Sequence, residues 1–272
     1  MSEQLRLVLL ACMAFGLTVL FVPVVRYLAL RWDIVSVPSV ERWHQRPTPR
    51  CGGIAFFFGW TIPLYFFVPA LSSTLPLFVV TSVMFLVGLY DDLYPLTPAT
   101  KLVGQLIAAA LAVFFGYSLS FFPWPLLDAL LTMAWIVGLT NALNLLDNMD
   151  GLAGGIGLIA ALYLAVFFHL HANVSYQLFA AALAGALAGF LLFNFFPASI
   201  FMGDAGSLFL GSGLSLLTIQ AHGEASNIFS LVAVPAFILL VPILDTTLVT
   251  LTRLLRGQPI SQGGTDHSSH RL

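Results

Sequence analysis

Three segments of this chain gather acids and amides in spacings that could hold a cation, and two more gather basic groups that could hold a phosphate. The first reads Gly88-Leu-Tyr-Asp91-Asp92, directly at the end of an apolar run. Adjacent carboxylates about 4 Å apart at an effective dielectric near 20 repel by on the order of 4 kcal/mol. A divalent cation or a basic ligand would relieve that cost. A solvated helix terminus with Lys101 as a loose counterion explains the pair equally well. The second segment reads Asn141-Ala-Leu-Asn144-Leu-Leu-Asp147-Asn148-Met-Asp150-Gly151. Asn141, Asn144 and Asp147 recur every three residues and so share one helical face. Asp150 and Gly151 would open the next helix, where free N–H groups favour anions. Carboxylate and amide oxygens are the donors that Mg²⁺ selects. Capping accounts for Asp150 but gives Asn141, Asn144 and Asp147 no reason to sit together.

The third segment runs Asn194-Phe-Phe-Pro197-Ala-Ser-Ile-Phe-Met-Gly203-Asp204-Ala-Gly206-Ser207. Asp204 between glycines ahead of a helix reads as a metal- or phosphate-site residue on a closely approached backbone, or as a plain cap. The basic segments are Glu41-Arg42-Trp43-His44-Gln-Arg46-Pro47-Thr-Pro49-Arg50 and the tail Asp266-His267-Ser-Ser-His270-Arg271. Arg42, Arg46 and Arg50 could clamp phosphates, or serve topology and anionic lipid. Two histidines three apart are too few to argue a metal. Asp245 lies inside an apolar run, where an ionisable group points to function by default.

The elements that must position these residues are membrane spans. Hydrophobic residues make up 59% of the 272, charged residues 8%, and mean hydropathy is +0.97. Soluble domains carry roughly 25% charged residues. The formal charge of −2 says little about partners, and two cysteines, Cys12 and Cys51, make neither a disulfide framework nor a zinc site. Apolar runs lie near 5–30, 52–71, 75–90, 102–119, 124–144, 152–170, 177–193, 206–220 and 228–252. Long unalternating runs in lipid must be helices. The expected fold is all-α, a polytopic transmembrane bundle of about nine spans forming a single domain over 1–272.

Eight of the ten Lys and Arg residues fall in the odd-to-even connectors and the tail, namely Arg31, Arg42, Arg46, Arg50, Lys101, Arg253, Arg256 and Arg271. None falls in the even-to-odd connectors. By the positive-inside rule the first group is cytoplasmic, which puts the N-terminus outside. Asp33, Glu41, Asp91, Asp92, Asp147, Asp150, Asp204 and Asp266 lie on or beside that same side. One Mg²⁺ site receiving a phosphorylated substrate would explain all of these segments together.

At these residues the sequence resembles the polyprenyl-phosphate N-acetylhexosamine-1-phosphate transferases of glycosyltransferase family 4. The resemblance runs from Asp33 to the last residue through Pro38…His44…Pro49-Arg50…Gly52-Gly53, Gly88…Asp91-Asp92, Asn144…Asp147…Asp150-Gly-Leu-Ala, Asn194-Phe…Gly-Asp204-Ala-Gly-Ser207 and the His tail. It implies an enzyme in which a lipid phosphate attacks the β-phosphate of a UDP-sugar and UMP leaves. It implies Mg²⁺, with Mn²⁺ as a substitute, bridging the diphosphate. Asp204 matches the family's metal ligand, with Asp92 and Asp147 beside it. Asp91 matches the residue that deprotonates or orients the lipid phosphate, and Asp92 shapes the same catalytic site. Asn144, Asp147 and Asp150 match nucleotide- and metal-proximal positions. Arg42, His44 and Arg50 match the phosphate-contacting connector, and His267 and His270 match part of the His tail that holds the diphosphate.

The chain departs from the family pattern in two places. The tail reads His267-Ser-Ser-His270 where near branches often read His-x-His-His, and Glu41-Arg42 stands where a fully basic pair is common. Family members usually continue through a further helix, so the resemblance implies a C-terminal truncation. The expected reaction transfers GlcNAc-1-phosphate from UDP-GlcNAc to undecaprenyl phosphate as a first membrane step of envelope glycan synthesis. The expected partners are the UDP-sugar, the polyprenyl phosphate and membrane lipid, with no nucleic acid and a homodimer left open. The expected place is the inner or plasma membrane, with the site facing the cytoplasm. The competing readings are a phospho-MurNAc-pentapeptide transferase and a transporter that uses the Asp clusters for coupling.

Overall fold

The computed structural model describes residues 2–36, 47–68 and 71–224. They form eight helices: α1 (Glu3–Arg31), α2 (Gly52–Phe67), α3 (Leu71–Leu93), α4 (Pro98–Phe114), α5 (Pro125–Leu146), α6 (Leu152–Leu170), α7 (Val174–Asn194) and α8 (Gly203–Glu224). A two-residue antiparallel ribbon, β1 (Val35–Ser36) with β2 (Thr48–Pro49), joins α1 to α2, pairing Val35 with Pro49 and Ser36 with Thr48. Every apolar run up to residue 220 is a helix. The run at 228–252 lies outside the described residues, as do Asp245, Arg42, His44, His267 and His270.

Among the described residues, five helices are long and apolar enough to cross a membrane: α1, residues 74–93 of α3, α5, α6 and α7. Their outer surfaces are apolar, with Leu126, Ile159 and Leu170 at least 70% exposed. An apolar exterior of this kind is stable only against lipid. The apolar helices α2 and α4 are shorter, at 16 and 17 residues.

Caps set the helix ends. The Ser2 hydroxyl accepts the Leu5 N–H to start α1, and Thr97 accepts the Thr100 N–H to start α4 with Pro98 in its first turn. That cap begins α4 before Lys101, so the lysine belongs to a helix rather than to a loop. At the other side of the same connector, α3 continues to Leu93 and carries Asp91 and Asp92 in its last turn.

The Gly- and Ser-rich run becomes α8, the most enclosed helix of the bundle. Residues 205–219 are all buried, and the helix packs against α2, α3, α5 and α6. Its small residues allow the close approach that membrane helices need in place of a hydrophobic driving force. Its hydroxyls turn inward on their own backbone: Ser212 donates to the Phe209 carbonyl, Ser215 to that of Ser212 and Thr218 to that of Ser215, at 2.8–2.9 Å. An aromatic group seals its side, with Phe57 stacked on Phe85 at 4.0 Å and Phe209 packed edge-on to Phe57 and Trp60.

Candidate active site

The C-terminal ends of α3 and α5 meet the N-terminal ends of α4 and α8 at one end of the bundle. Backbone contact fixes that meeting. A Cβ on Gly53 would lie 2.2 Å from the Gly206 nitrogen, and one on Gly88 would lie 2.2 Å from the Asp204 carbonyl oxygen. No side chain fits at either place, so α2 and α3 touch the first turn of α8 directly. Two further bonds clamp the same region: Gly52 and Gly53 donate their N–H groups to the carbonyls of Phe201 and Met202, at 2.9 and 2.8 Å.

The first turn of α8 has no capping side chain of its own. Its orphan N–H groups are met from elsewhere. Gly203 donates to the Asp147 carboxylate, Asp204 to Asp92 Oδ1 at 2.9 Å and Ala205 to Asp92 Oδ2 at 2.9 Å. Two aspartates from two different connectors therefore cap one helix across space. Burial, then the nearby carboxylates of Asp204 and Asp92, hold the Asp147 carboxyl well above the usual range.

With its backbone fixed, Asp204 presents its carboxylate to three neighbours, Lys101, Asn144 and the Asp91 carboxyl. Lys101 Nζ lies 2.6 Å from Asp204 Oδ2, 3.0 Å from Asp91 Oδ2 and 3.4 Å from Asn144 Oδ1. Asn144 Nδ2 donates to Asp204 Oδ1 at 2.6 Å and to Ser207 Oγ at 2.7 Å. The second oxygen of Asp91 accepts the Leu96 N–H at 2.6 Å, which ties the connector down. Asn141 pairs reciprocally with Gln105, at 2.7 and 3.1 Å, and so locks α5 to α4 one turn deeper.

The other expected residues lie around this cluster. Asp150 accepts the Ala198 N–H at 2.9 Å, while Asn194 accepts the Gly151 N–H and donates to the Ile200 carbonyl. Arg50 bonds Ser36 on the ribbon at 3.5 Å, and its charge acts on Asp92. Burial and then Asp92 push the Cys51 thiol up to about 12, which keeps it protonated and unsuited to nucleophilic attack. Among the described residues, no three Asp, Glu, His or Cys side chains converge as a metal cage.

The structure thus brings Asp91, Asn144 and Asp204 together and sets Asp92 and Asp147 behind them at the helix terminus. Lys101, which reads from sequence as a loose counterion, is the centre of the cluster. Ser207 and Gln105 also belong to it, and neither carries a spacing signal that singles it out. The one available hint for Lys101 is that it is the sole lysine of the chain.

An acid- and amide-lined cluster with one central ammonium, at one end of a lipid-facing helix bundle, makes this a multi-pass membrane protein with a polar site. The chain belongs to glycosyl transferase family 4, whose model matches residues 74–222, from α3 through α8 and so across every element that builds the cluster. It is 35% identical to the probable undecaprenyl-phosphate N-acetylglucosaminyl 1-phosphate transferase of Bacillus subtilis, over all of this chain and 79% of the relative. It is 35% identical to the decaprenyl-phosphate N-acetylglucosaminephosphotransferase of Mycolicibacterium smegmatis, over 91% of this chain and 70% of that one. A phospho-N-acetylmuramoyl-pentapeptide-transferase of Lactobacillus johnsonii is 33% identical over 77% of this chain and 74% of its own length. The chain is accordingly an enzyme, a phosphotransferase.

Proposed function

We propose that the protein transfers N-acetylglucosamine-1-phosphate from UDP-GlcNAc to a polyprenyl phosphate, undecaprenyl phosphate by default, and releases UMP. The observation that carries this reading is the Asp91–Lys101–Asn144–Asp204 cluster on the family-matched helices. An oxygen of the acceptor phosphate attacks the β-phosphorus of the donor, and the bond from that phosphorus to the bridging oxygen of UMP breaks. Phosphoryl transfer of this kind asks the protein chiefly for positioning and charge stabilisation.

The oxygen donors suit Mg²⁺. Mg²⁺ is usually held by one or two carboxylates together with substrate phosphates rather than by an all-protein cage. Asp204 and Asp91 supply two carboxylates on one small volume, and Asn144 Oδ1 points at the same place. When bound there, the ion would neutralise charge developing on the diphosphate. In this reading Asp204 and Asp91 are the direct ligands, and Asp91 also orients the acceptor phosphate. Asp92 and Asp147, expected as ligands themselves, act instead by holding the α8 terminus that presents Asp204. Asp150 and Arg50 border the entry for the nucleotide diphosphate. Arg42, His44, His267 and His270 remain assigned to phosphate contacts through the family resemblance.

The site faces the cytoplasm in this reading, with the N-terminus outside and nine spans in the chain. The support is the placement of eight of ten Lys and Arg residues on one side. The likeness to the N-acetylmuramoyl-pentapeptide enzyme keeps that larger donor as a second reading. The test uses purified protein in detergent with undecaprenyl phosphate and labelled UDP-GlcNAc. EDTA-sensitive movement of label into lipid with release of UMP is expected. Transfer only from UDP-MurNAc-pentapeptide would move the assignment to the second reading, and transfer from neither would refute both.

A further inference from the structure

Lys101 is the only lysine among ten basic residues, and it stands where a cation between Asp91 and Asp204 would stand. Its ammonium contacts one oxygen of each carboxylate and the Asn144 amide oxygen, and its side chain is only 15% exposed. An ammonium is a compact point charge with three donors, and here the three acceptors number two carboxylates and one amide oxygen. It satisfies the directional needs of the cluster, and one ammonium is shared by two carboxyl groups that also hydrogen-bond each other. The Asp92 and Asp147 carboxylates lie behind, on the backbone of α8. The place between the two carboxyl groups is therefore already occupied by a cation.

We propose that Lys101 is a resident counter-cation, which a divalent ion must displace from the Asp91–Asp204 pair in order to bind. The inference rests on the metal reading above and concerns how that site is regulated. An ion set between the two Oδ2 atoms would take the place of an ammonium that lies within 3.0 Å of both, and the like charges would repel. Lys101 thus holds the acidic cluster together without an ion and weakens the hold on a bare one. Entry of the ion swings the ammonium out of its three bonds and exposes it to solvent reagents.

Two readouts test this without measuring turnover. The first is Mn²⁺ titration by electron paramagnetic resonance on the full chain in detergent, with no nucleotide present. Lys101→Met is expected to bind Mn²⁺ about tenfold more tightly than the wild type, because it removes a like charge at contact distance. Lys101→Arg retains the charge and is expected to stay close to the wild type. The second is the rate at which acetic anhydride labels Lys101, read by peptide mass spectrometry on the wild type alone. Saturating Mg²⁺ is expected to accelerate labelling several-fold.

Equal or weaker Mn²⁺ binding by Lys101→Met, beside measurable binding by the wild type, would overturn the counter-cation and leave the metal site standing. Binding by neither protein would remove the metal reading, and the inference with it. If Lys101→Met does not fold, the labelling rate decides: unchanged or slowed labelling with Mg²⁺ sinks the proposal.

Discussion

Two aspartates, one in the first turn of α5 and one on α8 against the last turn of α5, solve the problem of a carboxylate near lipid in opposite ways. Asp128, in the first turn, is buried and takes four donors from a single adjoining loop: the Ser118 hydroxyl and the N–H groups of Ser120, Phe121 and Phe122. All of them lie within ten residues of it along the chain. About 24 Å of helix rise away, Asn144 meets Asp204, whose partners come from helices as far as 112 residues away in sequence. Asp128 is closed off by neutral donors that ask nothing more of it. Asp204 and Asp91 share one ammonium and hydrogen-bond each other. The lesson is that burial and hydrogen bonding alone do not mark a site. A structural carboxylate is satisfied locally and neutrally, whereas the candidate catalytic one is held by charged and ionisable groups from distant elements.

The sharpest break of that comparison is Asp204→Asn. Transfer of labelled sugar phosphate to lipid should fall by on the order of 10³-fold. The thermal midpoint should move by only a few degrees, since Asn still bonds Asn144. A midpoint collapse equal to the activity loss would make Asp204 structural. Next is Asp92→Ala, which strands the N–H groups of Asp204 and Ala205. A stability loss of roughly 1–3 kcal/mol for each stranded donor is expected in denaturant titrations, with transfer falling as well. Asp128→Ala, at the other end, should cost about 1–3 kcal/mol in the same titration and leave the KM for donor unchanged. A changed KM there would erase the distinction between the two ends.

The smallest effect concerns pH. Burial and the nearby Asp204 and Asp92 carboxylates raise the pKa of Asp147 in the folded chain above its value in the unfolded chain. Its contribution is therefore neutral in acid and becomes unfavourable as pH rises past the ordinary carboxylate range. Asp147→Asn cannot ionise and still offers an acceptor to Gly203. It should raise the midpoint by a few degrees at about pH 8 and leave it unchanged at about pH 4. An equal rise at both values would point to packing rather than charge.

Much of the architecture is legible in the sequence because lipid imposes it. Runs of twenty apolar residues have no alternative to helix. The run at 152–170 gives α6 end to end. The boundaries that shift do so for local reasons that hydropathy does not register. Thr97 starts α4 early, and Val68, in extended conformation, stops α2 short of residue 71. The chemistry is legible in residue types: Asp91, Asn144 and Asp204 are singled out by adjacency, periodicity and flanking glycines, and the fold brings them together. The roles of Asp92 and Asp147 as remote caps are not legible, because nothing in a linear spacing says which backbone a carboxylate will reach. Lys101 is hidden for the same reason. Its partners are ten, 43 and 103 residues away, and only closure of the bundle sums them.

The borrowed caps of α8 also carry a consequence for how the protein is made. A helix that brings its own cap can form as soon as it is synthesised. The first turn of α8 depends on Asp92 and Asp147 for its acceptors and on Gly53 and Gly88 for its seat. All four precede it in the chain. Synthesis from the N-terminus therefore delivers the socket before the helix, and α8 leaves the ribosome after all four of these residues.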